Sequence, residues 1–290
     1  MPGYTLDDGV TVKNKLGALS HDALEAAESD YVSNRLLQLE LGHGPSGQFD
    51  AGHLKAIHRH LFQDVYEWAG RTRDEKVALA DGTVATEPLL RKADGKPFMA
   101  GPRIADALER FGDTLRRSNY LRGLPRTAFA ERAADIMLAI NGAHPFREDN
   151  GRAQRAFIRE LARAAGHELD FSVVTRERMI QASIAGNEQG DSMTMRRRFN
   201  EISDQIRVAA LGKAIDALNA NGFPWNDAYI ATAEPGHKVE VTMAGVAGEQ
   251  FMARTTADIL IGQTSDSPTP RPSRGETFTL EPTSWGPVPL

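Results

Sequence analysis

Cysteine is absent from this chain of 290 residues. That excludes disulfides, thiolate metal sites and a cysteine nucleophile, and it fits a reducing compartment. Long hydrophobic runs are missing too, so no segment is expected to span a bilayer or to need a membrane partner. The first residues, Met1-Pro2-Gly3-Tyr4-Thr5-Leu6-Asp7-Asp8, lack the basic start and apolar core of a secretory signal. The expectation is a chain made as a soluble protein in the cytoplasm of the producing cell. Basic charge is not in excess: the formal net charge is -5, which argues against nucleic acid as a partner of the whole molecule. What remains is ordinary for a globular protein, 41% hydrophobic and 25% charged, and sufficient for one large domain or two ordinary ones.

Helical periodicity dominates the first two thirds. Between Ser20 and Gly42, Leu24, Ala27 and Tyr31 recur at helical steps, as do Leu37 and Leu41. Asp50 is placed to cap a second helix running to about Phe62, closed by Trp68-Ala69-Gly70. Lys76 to Thr86 carries Asp81-Gly82 between two short β-prone runs, a strong hairpin signal. Further helices are expected from Ile104 to Arg117, from Thr127 to Asn141, from about Gly151, from Thr175 to Ala185 and from Met193 to Asn219. After Gly222 the pattern shortens to strands at Trp225–Thr232, Lys238–Met243, Gln250–Arg254, Asp258–Gly262 and Glu276–Leu280. The class expected is mainly α, a helical domain over 1–210 followed by a small β-barrel module over 211–290. His53, His58 and His60 do not fall as a close trio on one helical face, so a polar helix surface with one packed histidine is expected rather than a metal site. Arg196-Arg197-Arg198 is expected to lie on a solvated helical face.

The segment from His144 to Arg155 carries chemistry. Pro145 ends the preceding helix, and Asp149, Asn150 and Gly151 are suited to cap the next one. The unpaired N–H groups at that helix start, with the helix dipole, form an anion site. Arg152 and Arg155, three apart, lie on one face of its first turn and suit a polyphosphate. Glu148 is a candidate Mg²⁺ ligand beside such phosphates, and His144 a candidate base for a hydroxyl nucleophile.

These residues resemble the signature of the Fic family, HPFx(D/E)GN(G/K)R with a further arginine three residues on. His144, Pro145, Phe146, Glu148, Asn150, Gly151, Arg152 and Arg155 match it, and Leu61-Phe62-Gln63-Asp64-Val65-Tyr66-Glu67-Trp68-Ala69-Gly70 with Arg73 resembles the stretch before the family's substrate-docking flap. The resemblance covers roughly residues 20 to 210. It implies a helical bundle with a hairpin flap and transfer of AMP from Mg·ATP to a protein hydroxyl. His144 would be the general base, Glu148 the metal ligand, and Phe146 the residue orienting the loop. Asp149, Asn150, Gly151, Arg152 and Arg155 would line the phosphates, Lys76 and Val77 would flank the nucleotide, and Lys76 to Thr86 would hold an extended target segment.

The family's usual glycine is Asp149 here. Three outcomes stay open: a benign helix cap, transfer of phosphate or another nucleotide, or a binding module with a closed phosphate site. No internal copy of the inhibitory pattern (S/T)xxxE(G/N) is present, since Ser183 and Glu188 are one residue too far apart. Either a separate antitoxin supplies that helix or the enzyme is unrestrained. Trp225-Asn226-Asp227-Ala228-Tyr229-Ile230 and Phe251-Met252-Ala253-Arg254-Thr255 resemble the oligonucleotide-binding-like barrel that follows the Fic domain in effectors delivered by type IV secretion, which implies translocation into another cell.

Overall fold

The computed structural model describes residues 3–92, 95–256, 258–283 and 285, with Asp227 described by its backbone alone. Met1 and Pro2 of the N-terminal stretch lie outside the described residues. The chain forms two compact units, one of residues 1–124 and 135–166, the other of residues 125–134 and 167–290. Among the described residues, no helix is long and apolar enough to cross a membrane.

In the first unit, helix α1 (His21–Glu40) is capped by Ser20, whose hydroxyl accepts from the Ala23 N–H. Asp50 caps α2 (Ala51–Phe62) through the His53 N–H at 2.8 Å. The flap is a hairpin of β1 (Val77–Ala78) and β2 (Val84–Ala85), with Gly82 at φ 81° in its turn. Then follow α3 (Arg103–Arg117), α4 (Arg126–Ala143), whose second half belongs to this unit, and α5 (Asn150–Ala165). The core is built on Leu54, Ile57, Leu61, Phe62, Phe146, Phe157 and Ile158, all without solvent contact. Each such large apolar side chain contributes roughly 1.5–3 kcal/mol by leaving water.

The face that α1 buries differs from the expected one. Leu24, Glu28, Val32 and Leu39 are buried, whereas Tyr31, Leu37 and Leu41 are 45%, 53% and 64% exposed. Leu24, Glu28 and Val32 follow one another at four-residue steps, so a carboxylate sits in the middle of the buried stripe. The histidine expectation also changes. Both His53 and His58 are buried, and His60 bonds the Arg35 carbonyl at 3.2 Å.

The second unit begins with the first half of α4 and adds α6 (Arg176–Glu188), α7 (Ser192–Ile202) and α8 (Gln205–Ala220). One helix was expected from Met193 to Asn219. The chain breaks at Ser203-Asp204 because the Asp204 carboxylate accepts from the Ile206 and Arg207 N–H groups and starts a new helix. Glu201, fully buried, ties the unit together. It binds Arg178, lies within 4 Å of Arg198 and Arg207, and accepts from the Thr232 N–H and hydroxyl at 2.6 Å. Arg198, expected in solvent, is instead buried and donates to the Tyr229 hydroxyl at 2.5 Å.

The sheet of this unit comprises β3 (Ile230–Thr232), β4 (Val239–Ala247), β5 (Gln250–Arg254), β6 (Ile259–Gln263) and β7 (Thr277–Leu280), in the order β3-β6-β5-β4-β7. It is open, which corrects the expected barrel. Closure would need β3 to pair with β7. β3 is only three residues long, pairs in parallel with β6, and meets α8 through Arg207 Nε donating to Thr232 Oγ1 at 2.7 Å. Trp225–Asp227, read as the start of a strand, is a short 3₁₀ turn.

Candidate active site

The chemistry-bearing segment is held by four buried side chains. Asn150, at the start of α5, accepts from the Phe146 N–H and donates to the Phe146 carbonyl, both at 2.9 Å, closing the loop on itself. Phe146 stacks on His58 at 3.8 Å between ring centres. His58 Nδ1 accepts from the Gly70 N–H at 2.9 Å, which leaves Nε2 to donate to the Glu148 carbonyl at 3.3 Å. Burial pushes the His58 pKa down to about 3; the Glu148 carbonyl opposes this weakly and Arg152 adds to it. Gly70 is needed where it stands: φ is +83°, and a Cβ would come within 2.7 Å of the Arg59 side chain.

Arg73, without solvent exposure, spends its guanidinium on carbonyls. Nε donates to His144 at 2.9 Å, Nη1 to Glu87 at 3.1 Å and Pro88 at 3.0 Å, and Nη2 to Met99. Its own N–H donates to the Pro145 carbonyl at 2.8 Å. One side chain thus fastens the loop to both ends of the segment from Glu87 to Met99.

His144 ends α4 with φ +44° and stacks on Phe98 at 3.8 Å. Burial lowers its pKa to about 3, with Arg73, Lys92 and Arg147 adding to the effect. Among the described residues, its buried Nδ1 has no hydrogen-bond partner. The imidazole is therefore neutral at physiological pH, as a proton acceptor requires. Glu148 pairs with Arg147, and Arg147 with Glu87 at 2.6 Å. Burial raises the Glu148 pKa against the pull of Arg147, with Glu28 and Glu87 adding to the rise.

Asp149 adopts the left-handed conformation, φ 61° and ψ 23°, and makes no cap hydrogen bond. The outward helix cap considered above is not its role. Its carboxylate turns in and takes Nε and Nη2 of Arg152, with the Nε contact at 2.9 Å. Burial raises the Asp149 pKa and Arg152 opposes that rise. Arg152 also reaches Glu28 of α1, and its guanidinium carbon lies 5.2 Å from the centre of the Phe62 ring. Arg155 is packed against the first turn of α5, where a Cβ on Gly151 would meet its Nη1 at 3.3 Å. The structure thus gathers His144, Phe146, Glu148, Asp149, Asn150, Gly151, Arg152 and Arg155 on one loop and helix start. Lys76 and Val77 lie on another element, at the beginning of the flap, where Val77 opens β1.

Sequence reasoning missed Glu28 and the parts of His58 and Arg73. A carboxylate at a four-residue step from two buried aliphatics was a readable signal for Glu28. No local pattern could have paired Arg73 with His144.

The Fic/DOC family model matches residues 48–162. A protein adenylyltransferase of Bartonella henselae is 34% identical over 266 residues, 91% of this chain and 49% of the relative. The solved type IV secretion system effector protein BepA is 32% identical with a TM-score of 0.88, covering 97% of this chain and 96% of that one. BepC of Bartonella tribocorum, solved with bound AMPPNP, is 39% identical with a TM-score of 0.66 over 69% of this chain and 96% of that one. The chain belongs to the Fic/DOC family. It spans about half the length of the curated Bartonella henselae relative it matches.

Proposed function

We propose that this chain is a protein adenylyltransferase that moves AMP from ATP to a Ser, Thr or Tyr hydroxyl of a target protein. The observation that carries the reading is the convergence of a neutral His144, Glu148, Arg152, Arg155 and the N-terminus of α5 on one loop. In the step proposed, the target hydroxyl oxygen bonds to the α-phosphorus as the bond to the β-phosphate oxygen breaks. The hydroxyl proton passes to His144 and pyrophosphate leaves. Arg152, Arg155 and the first N–H groups of α5 take up charge developing on the leaving group. Lys76 and Val77 flank the nucleotide. The relative solved with AMPPNP supports a nucleotide donor.

Glu148 fits a Mg²⁺ ion that arrives with the phosphates. Its carboxylate is 40% exposed, and burial first, with Glu28 and Glu87 adding to it, raises its proton affinity, which a cation would relieve. Among the described residues, no group of three or more His, Cys, Asp or Glu could hold a metal without the nucleotide. When bound, the ion would neutralise charge across the phosphates. The hairpin from Lys76 to Thr86 is proposed to take the target as an added strand. It is held by the Lys13 ammonium, which donates to Asp81 at 2.6 Å and Thr83 at 2.8 Å. A separate antitoxin carrying the inhibitory helix, and delivery through a type IV secretion system, are part of the same proposal, supported by likeness to the secreted effectors.

Incubation with α-³²P-ATP and Mg²⁺ in bacterial and animal-cell lysates tests the reading. A band that depends on His144, lost in His144→Ala, is expected; no band in either lysate would count against it. One observation favours a second reading: Asp149 occupies the guanidinium of Arg152. If that changes the donor, label from γ-³²P-ATP rather than α-³²P-ATP would appear on the target.

A further inference from the structure

Glu28 lies far from the signature in sequence yet touches it in space. It projects from α1, 3% exposed, between two helical turns of aliphatic side chains. One carboxylate oxygen accepts from Nη2 of Arg152 and the other from the hydroxyl of Tyr66. Tyr66 is itself buried and stacked on Trp68 at 4.3 Å. Burial and the nearby carboxylates of Asp149 and Glu28 push the phenol pKa far up, so the hydroxyl remains a donor to Glu28.

The consequence for Arg152 is directional. Asp149 takes its Nε and Nη2, Glu28 takes Nη2 from the other side, and the ring of Phe62 lies 5.2 Å away. Among the described residues, the hydrogen bonds and ion pairs of Arg152 use Nε and Nη2 and leave Nη1 for a ligand. A free arginine samples many rotamers, and holding one in place before the ligand arrives removes that entropy from the binding step. A guanidinium gripped on its Nε–Nη2 edge offers Nη1 to an anion in a fixed direction.

We propose that Glu28, held by the Tyr66 hydroxyl, is a positioning residue that orients Arg152 toward the phosphates of the bound nucleotide. The inference rests on the proposed adenylyltransferase reading. It differs from restraint by an inhibitory glutamate in direction: loss of Glu28 should weaken nucleotide handling, whereas loss of an inhibitor should strengthen it. Glu28 also lacks that pattern, with Leu24 four residues before it and Ser29 after it.

The test uses the full chain and compares Glu28→Gln, which keeps the shape and the contact with Tyr66, with Tyr66→Phe, each alone and in an Arg152→Ala background. ATP affinity is measured by calorimetry and AMP transfer by α-label. Glu28→Gln is expected to weaken ATP binding about tenfold, in the range seen when groups that orient a ligand-binding residue are lost. Tyr66→Phe is expected to act in the same direction and less strongly. In the Arg152→Ala background neither change should weaken binding further, which a merely structural role would not produce. Unchanged affinity, additive losses, or a gain in activity on removing Glu28 overturns the proposal. A wild type that binds ATP but transfers nothing would sink the activity alone, because the affinity measurements would still be readable. A wild type that fails to bind ATP overturns both.

Discussion

The carbonyl of His144 accepts a 2.9 Å hydrogen bond from Nε of Arg73, a residue 71 positions earlier in the chain. The same guanidinium also serves Glu87, Pro88 and Met99. A lysine has three donors on one nitrogen and cannot reproduce that fork. Arg73→Lys is therefore expected to lower AMP transfer about a hundredfold, the order of effect of misplacing a reacting group by an ångström. ATP affinity should change little. Transfer kinetics beside calorimetry check this; a variant with wild-type turnover would remove Arg73 from any role in placing His144.

Asp149→Gly should relieve two burdens. The left-handed backbone at φ 61° costs a non-glycine residue roughly 1–2 kcal/mol. The change also frees Nε of Arg152 for phosphate, while Glu28 still holds Nη2 and keeps the guanidinium oriented. The expected outcome is ATP binding tightened about tenfold, equivalent to one charge-assisted hydrogen bond. Weaker binding in calorimetry would mean that Asp149 assists the nucleotide instead of competing with it.

The histidines set a pH signature. With the His144 pKa lowered to about 3, its ring signals should not titrate between pH 5 and 8 in the free protein. Bound polyphosphate brings negative charge that raises the value. Selective ring labelling and NMR with and without ATP measure both. His58 makes a stability statement. Its folded pKa is about 3 and its unfolded value about 6.5, so the unfolded state binds the extra proton in that window. Stability from this group is complete above pH 6.5 and is lost as pH falls toward 3, by on the order of 3–5 kcal/mol. A His58→Gln variant should show a flatter acid limb in denaturant titrations.

In the second unit, Glu201 sits among Arg178, Arg198 and Arg207. Burial pushes its pKa up, but the three arginines outweigh that and bring it to about 2. Its contribution to stability is present above the ordinary carboxylate range and is lost as pH falls through about 2. Glu201→Ala leaves buried arginines uncompensated and should cost roughly 3–5 kcal/mol. A midpoint in urea indistinguishable from wild type would refute this.

Much of the fold was legible from residue type and spacing. Asp50 caps α2 as its side chain suggested, the helices expected from about Ser20 and Thr175 begin there, and Asp81-Gly82 turns the flap hairpin. The signature loop was legible because its chemistry is compressed into twelve residues. What was hidden depended on long-range pairing. The buried face of α1 was misread because Glu28 looks like a surface residue until its partners Arg152 and Tyr66 are known. The break at Ser203-Asp204 was hidden within a continuous helical pattern, and an open sheet cannot be told from a closed one by strand lengths alone. Arg198 reads as a solvated charge because only the fold brings Glu201 and Tyr229 to it.

Position 149 keeps the left-handed turn without a glycine, since Asn150, His58 and Arg73 hold the loop around it. The loop's shape and the chemistry of this one side chain are thereby separable. In the genetic code a glycine codon becomes an aspartate codon by a single base change. A lineage could exchange a permissive residue for a charged one here, and back again, without rebuilding the site. Variation at this position would then record selection on how the proposed transferase handles its donor, while the surrounding residues record selection on the fold.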